Sequence, residues 1–563
     1  MKKSIKILSL ILIMAMIFTA CTGGNNQQQS NADNNQTNNQ TNNQTNSTQP
    51  AEKIIRMSVS GTPKVDPATA TDGGSSIAMV NLYESLVYPN PDGTVAPSIA
   101  ESWDISDDNL TYTFKLKQGV KFHDGNELKA SDVVFSINRL LTIGEGNAYI
   151  FQDYIASAEA ADDYTVKITL SKPFGPFLTT LPRIYIVSEK TVMANIEKDG
   201  PYGEFGDYGK NYLLTHDAGS GAYTVKELQQ QGYMLAARFE DYWGGWDNAD
   251  APDTIKLIDN TEASTVRTLM GNKELEIADE WQSTENITAM LKLPDVSLCT
   301  YSSGATQNFM YNTKKAPTDD VNFRRALNSL FDYQMISEKI LIDSPQSIGP
   351  VAASTPGANP DLEQFSYDIE KAKEYLSQSK YKDQLDEYPV EMTIIADVAD
   401  HEKIALAFQA AAQQVGITVN IAKSPWLSVQ EQVASVETTP NMINISVPPN
   451  YFEAGAMLKS RYSSSSNGTW EQAEWLQDPE IDNMIDDALA TTDKDERFEK
   501  YYEIQEKLVE MAPTAWLVDN VNRHVYQNYI SWPIAEQSKD GSVISLPAGY
   551  PFDFKDFKVN VTK

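Results

Sequence analysis

Apolar and polar positions along this chain follow two rhythms, one of period two and one of period near 3.6, and they switch repeatedly. Ile54–Val59 is an apolar run of strand length. Leu110, Tyr112, Phe114 and Leu116 alternate with Thr111, Thr113 and Lys115, the pattern of a half-buried strand; Val120 and Phe122 continue after Lys117-Gln118-Gly119, so a hairpin is expected there. Ser131 stands where a helix N-cap belongs, ahead of Val133, Val134, Ile137, Leu140 and Leu141 at helical spacing. Tyr164, Val166, Ile168 and Leu170 alternate again. In the later half Val390, Met392 and Ile394 alternate, Ile404, Phe408, Ala411 and Val415 follow at helical intervals, and Ile417, Val419 and Ile421 return to alternation. Gly416 sits where the helix should stop. A strand, a helix and a strand in that order imply a parallel pair with a right-handed crossover. Amphipathic patterns at Ile369–Leu376 and Ile481–Leu489 supply further covering helices. The predicted class is α/β, with mixed β-sheets flanked by helices.

The N-terminus departs from both rhythms. Lys2, Lys3 and Lys6 precede an apolar run from Ile7 to Phe18, and Thr19 and Ala20 lead to Cys21. Residues 1–20 therefore read as an export signal, since about a dozen apolar residues are too few for a bilayer that needs ~20. Phe18-Thr19-Ala20-Cys21 resembles a bacterial lipobox, which implies a lipoprotein anchored through Cys21 to the cell membrane, facing outward or into a periplasm. Residues 21–50 form the expected linker, in which Asn25–Gln49 is almost wholly Asn, Gln, Thr and Ser, with Asn-Asn-Gln-Thr repeated at 34–45. Such a stretch buries nothing and is expected to act as a disordered leash spanning on the order of 25–30 Å.

Composition narrows the chemistry. With Cys21 lipidated only Cys299 remains, so no internal disulfide is expected. The net charge of −32 falls to −35 without the three leader lysines, which argues against nucleic acid, because phosphate contacts need Lys and Arg. His123, His216, His401 and His524 are scattered, and no HExxH, P-loop or Gly-x-Ser-x-Gly pattern occurs. Asp247, Asp250 and Asp253 lack the glycine and terminal glutamate of an EF-hand loop. An enzyme is not expected, nor any cofactor or metal. The nine Trp and 27 Tyr are core residues by default, but some are available to line a cleft by stacking.

From Ala100 to Ser136 the chain reads AESWDISDDNLTYTFKLKQGVKFHDGNELKASDVVFS. This resembles the signature of the family 5 extracellular solute-binding proteins, the oligopeptide-, dipeptide- and nickel-binding components of ABC importers. Asp66-Pro67 with Asn81-Leu82-Tyr83-Glu84, then Gly219-Ser220-Gly221-Ala222-Tyr223 with Asp241-Tyr242-Trp243-Gly244-Gly245, and Phe323-Arg324-Arg325-Ala326-Leu327 extend the similarity over most of the chain beyond the leash. The resemblance implies a two-lobed periplasmic-binding-protein-like fold of type II with a hinge between lobes. Residues 51–84, 212–303 and 518–563 would form the first lobe, 85–211 an extra domain of that lobe carrying the signature, and 304–517 the second lobe. The chain would cross near Ser302–Gly304 and Trp516–Asn520, and His123 would belong to the scaffold.

The resemblance also implies the partners: a small-molecule solute, peptide first and oligosaccharide second, and the permease and ATPase subunits of an importer, the protein itself being a monomer. A nickel-complex or haem carrier and a lipid-anchored hydrolase are remoter readings. Matched positions give Thr71, Asp72, Gly73, Tyr149, Trp426, Asn444 and Trp516 as ligand-binding candidates, with Trp281 beside them. In peptide-binding relatives an acidic residue commonly precedes a loop of the type at Val447–Tyr451, but the run Met442-Ile443-Asn444-Ile445-Ser446 has none. A buried ammonium without a partner is costly. Either Asp72, Asp279, Glu280 or Glu453 supplies that charge, or the solute has no free amine.

Overall fold

The computed structural model describes residues 53–396, 398–540 and 545–560. The export signal, Cys21 and the leash lie outside these residues. What is described belongs to one compact unit, Ala51–Lys563.

One lobe is built on a mixed four-stranded sheet in the spatial order Ile54–Val59, Thr254–Asp259, Tyr233–Arg238, Tyr223–Gln229. Its first two strands run parallel and the others antiparallel. A second four-stranded sheet, antiparallel throughout, has the order Ala100–Ile105, Thr111–Leu116, Thr165–Leu170, Ile155–Asp162. The signature segment thus pairs backward with 100–105 and forward with 165–170. Val120 and Phe122 do not return along 111–116 as the expected hairpin requires. Gly119 turns the chain with φ 76°, and 120–128 closes on itself through Phe122 N–H to Asn126 O (2.8 Å) and Leu128 N–H to Val120 O (2.8 Å). The following helix, Ala130–Ile143, starts one residue before Ser131: Lys129 is the N-cap, and Asp132 accepts from the Lys129 N–H at 2.9 Å. The carboxylate three residues into the helix wins over the serine hydroxyl.

The other lobe carries a five-stranded sheet in the order Val419–Ser424, Val390–Ile395, Met442–Val447, Val296–Tyr311, Thr514–Gln527. Val390–Ile395 and Val419–Ser424 are parallel and joined by the helix Ala399–Gln413, the βαβ unit read from the pattern. Gly416 follows that helix with φ 82°. Phe309, Phe331 and Phe408 fill the space between this sheet and its helix.

Two strands join the lobes. Val296–Tyr311 and Thr514–Gln527 pair antiparallel over their length, and the register breaks between Ser302, opposite Val521, and Thr306, opposite Asp519. Gly304 lies inside the break with φ 75°, and an added Cβ would stand 2.8 Å from Thr355 Oγ1 and 2.9 Å from Pro449 Cγ. Only glycine fits a left-handed residue under two neighbours.

Candidate interlobe binding site

The predicted site residues separate into those with open surface and those that are buried. Asp72 caps the helix Gly73–Leu82, its carboxylate accepting from Ser75 N (2.8 Å) and Ser75 Oγ (2.7 Å), and Thr71, Asp72 and Gly73 are exposed at that helix start. An added methyl at Gly73 would stand 3.4 Å from Glu280 Oε1, so the two segments face each other closely. Trp281 is 61% exposed and Tyr149 is 50% exposed, large aromatic surfaces left open. Trp426 packs edge-on against Trp470 with ring centroids 5.4 Å apart. Asn444 is buried, accepting from the Gln307 side-chain amide, which also lies 3.1 Å from His401 Nε2. Trp516 is 2% exposed: its indole donates to Tyr462 Oη at 2.9 Å and its ring stacks on Phe365. It presents no free face to a solute in this conformation.

The four carboxylates considered for a solute amine have different fates. Asp72 is occupied by its helix cap. Glu453 is buried and paired, Oε1 with Arg497 Nε (2.8 Å) and Oε2 with Arg497 Nη2 (3.0 Å), and it accepts from Tyr501. Asp279 is buried and accepts from Ser58 Oγ (2.9 Å), Gln282 Nε2 (2.8 Å) and Trp281 N (3.0 Å). Glu280 receives no hydrogen bond from another described residue; burial raises its pKa, opposed only by its own main-chain N–H. Its charge helps to raise the phenol of Tyr301, after the larger effect of burial, and Tyr301 accepts from Asn522 Nδ2 on the opposite crossing strand.

One residue escaped sequence reasoning. Glu471 accepts from Asn450 Nδ2 at 3.3 Å, and burial raises its pKa. Burial raises the phenol of Tyr149, and the charge of Glu471 raises it further. No pattern around Glu471 marks it, because its partner Asn450 lies 21 residues earlier on a separate segment.

Several contacts close the lobes on each other. Arg183 donates through Nε to the Asn450 carbonyl (3.0 Å) and through Nη1 to the Ala548 carbonyl (3.4 Å). Lys403 Nζ meets Glu285 Oε1 at 2.7 Å, Thr284 Oγ1 donates to the Ile340 carbonyl at 3.2 Å, and Gly175 N–H donates to the Leu489 carbonyl at 2.8 Å. His123 is bound to Asp217 and the Gly221 carbonyl, so it ties two scaffold segments together. Among the described residues no group of three or more His, Cys, Asp or Glu is placed to hold a metal, and no helix is long and apolar enough to cross a membrane.

A family model described as bacterial extracellular solute-binding proteins, family 5, matches residues 94–469. The probable D,D-dipeptide-binding periplasmic protein of Escherichia coli is 26% identical over 503 residues, covering 87% of this chain and 93% of its own. Heme-binding protein A of Haemophilus influenzae is 26% identical over 475 residues, covering 79% and 83%. An ABC transporter-associated periplasmic binding protein of Helicobacter pylori, solved with the peptide STSA, superposes with a TM-score of 0.74 at 22% identity, over 90% of this chain and 98% of its own.

Proposed function

Because the chain belongs to the bacterial extracellular solute-binding proteins of family 5, we propose that it captures a peptide between its lobes by hinge closure and delivers it, chemically unaltered, to the permease of an ABC importer. Closure is favoured when the shut form offers the solute contacts that the open form lacks. We assign 51–84, 212–303 and 518–563 to the first lobe, 85–211 to its extra domain and 304–517 to the second lobe. Thr71, Asp72, Gly73, Tyr149, Trp281 and Trp426 are the candidates that retain accessible surface; Asn444 and Trp516 would support the site from below. A monomer tethered through a lipidated Cys21 fits an outward-facing carrier. Cys21→Ser should then move the protein from the membrane fraction into the medium or periplasm, and retention in the membrane would remove the anchor from the proposal.

The observation that carries the peptide reading is Glu280. A carboxylate that is shielded yet unpaired lacks a cation, and a peptide's free amine supplies one. A D,D-dipeptide-binding relative and a peptide-bound structural neighbour support the same class. The exposed ring of Trp281 and the Trp426–Trp470 pair support a second reading, an oligosaccharide held by stacking. Mass spectrometry of co-purifying solute followed by thermal-shift screening separates them. Solute at 100 times its Kd should add ~2.7 kcal/mol of stability, and Glu280→Gln should weaken a peptide tenfold or more. A shift with sugars and none with peptides would overturn the peptide reading.

A further inference from the structure

Gly175 follows the strand Thr165–Leu170 and, in the boundaries assigned above, touches the second lobe from the extra domain. Its N–H donates to the Leu489 carbonyl at 2.8 Å. A Cβ at this position would run into the Thr491 carbonyl oxygen and stand 2.6 Å from Arg497 Nη1 and 3.0 Å from Arg497 Cδ. These three nearest atoms all belong to the corner where the helix Pro479–Ala490 gives way to the helix Lys494–Met511. That corner is stiff. One obstacle is main chain, and the buried Arg497 guanidinium is held by both Glu453 oxygens (2.8 and 3.0 Å) and by the carbonyls of Thr491 and Thr492 (3.0 and 3.1 Å). Beside Gly175, Phe174 meets Tyr451 edge-on with ring centroids 6.1 Å apart and stacks on Tyr154 of its own domain at 3.9 Å.

Glycine at 175 has no local cause. Its backbone lies outside the left-handed region, so alanine suits the conformation of the extra domain itself. Gly93 makes the contrast: a Cβ there would also meet the second lobe, 2.7 Å from Pro356 Cγ, but its φ of 76° already favours glycine. We propose that Gly175 is a positioning residue for solute capture, because its missing side chain lets the extra domain seat on the corner 489–497 when the lobes shut. The inference rests on the hinge-closure reading above and adds that the last step of closure is set by contact between lobes as well as by the solute. A methyl group at 175 would face water in the open form and overpack the seam in the shut one, so it penalises closure alone. Apparent Kd then rises as the closed fraction falls.

The test compares the mature protein with its Gly175→Ala variant by small-angle scattering, as isolated and with tri-, tetra- and penta-alanine added, and titrates the same peptides calorimetrically. The parent should fit the shut form in at least one sample, and the variant should show a larger radius of gyration in that sample. Any peptide that binds should bind the variant about tenfold or more weakly, by one factor for all lengths, since the clash lies in the seam. A variant that shuts as the parent does would overturn the inference and leave hinge closure standing. Loss of folding in the variant would overturn it too, because the methyl would then clash inside its own lobe. A parent that fits the shut form in no sample would remove the closure reading and this inference with it. Unequal scattering with equal affinities would keep the seat at Gly175 and remove closure as the means of capture.

Discussion

Asp519 sits where the second crossing strand passes the register break, and its environment makes it a probe of the hinge. Its carboxylate accepts from Ser347 Oγ (2.6 Å) and Ala353 N (2.8 Å), with no cation in ion-pair range among the described residues. Burial pushes its pKa up to about 6. The folded state therefore holds a proton that the unfolded state has released, so the contribution of Asp519 to stability is complete below the unfolded pKa near 3.8 and is lost as pH rises through about 6. His401 and His524 act in the opposite sense: burial lowers both to about 4, so they cost stability as pH falls below their ordinary value near 6.5. Comparing the protein with Asp519→Asn isolates the aspartate from the histidines. Denaturant unfolding from pH 4 to pH 7 should show the variant gaining on the parent by roughly 2–3 kcal/mol. A difference that stays flat across that range would mean the carboxylate is ionised in the fold. The same residue-scale reasoning explains why Glu280 was not singled out by sequence. Whether a carboxylate is free depends on partners as distant as Arg497 is from Glu453 or Ser58 from Asp279, 44 and 221 residues apart.

Elements whose partners are close in sequence were legible, and elements defined by distant partners were not. The unit 390–424 could be read because its period changes from two to 3.6 and back, and because Gly416 occupies the left-handed position that ends the helix. The segment 110–122 carried an equally clear strand rhythm, yet its hairpin was wrong, since alternation reports a half-buried face and says nothing of which strand lies beside it. The actual neighbours, 100–105 and 165–170, bracket it on both sides. Strand Val296–Tyr311 was legible only as a crossing implied by resemblance. Along it Ser302, Thr306, Gln307 and Asn308 are buried beside Phe309 and Met310, so period-two alternation is lost where the strand leaves one lobe's packing and enters the other's. Its side chains find partners there instead of water: Ser302 with Ser354 at 2.9 Å, and Asn308 with Thr306 Oγ1 at 3.0 Å. Gly219 shows how a family motif becomes packing, because a Cβ there would come 1.9 Å from the Leu82 carbonyl at the end of the first helix.

At the scale of the whole molecule, affinity for a solute is set partly by the fraction of protein able to shut, since apparent Kd scales inversely with the competent population. The contacts that close the lobes differ in how much they contribute to that fraction. Lys403 and Glu285 form an open surface pair, with side chains 38% and 68% exposed. Such pairs are worth ~0–1 kcal/mol and are screened by salt, so Lys403→Ala should raise Kd by less than about fivefold, and less still at high ionic strength. Arg183 is buried and its guanidinium serves carbonyls in both lobes, Asn450 on one side and Ala548 on the other. Charge-assisted hydrogen bonds of this kind contribute ~1.5–3 kcal/mol, and removing the donor leaves two carbonyls to find water. Arg183→Ala should therefore raise Kd by roughly ten- to a hundredfold. It should also enlarge the radius of gyration of the solute-free protein in small-angle scattering, while Lys403→Ala leaves it nearly unchanged. If the two variants weaken binding equally, or if Arg183→Ala lowers affinity with no change in scattering, then closure does not hang on this guanidinium. Arg183 would in that case act on the solute itself, as a direct contact in the cleft.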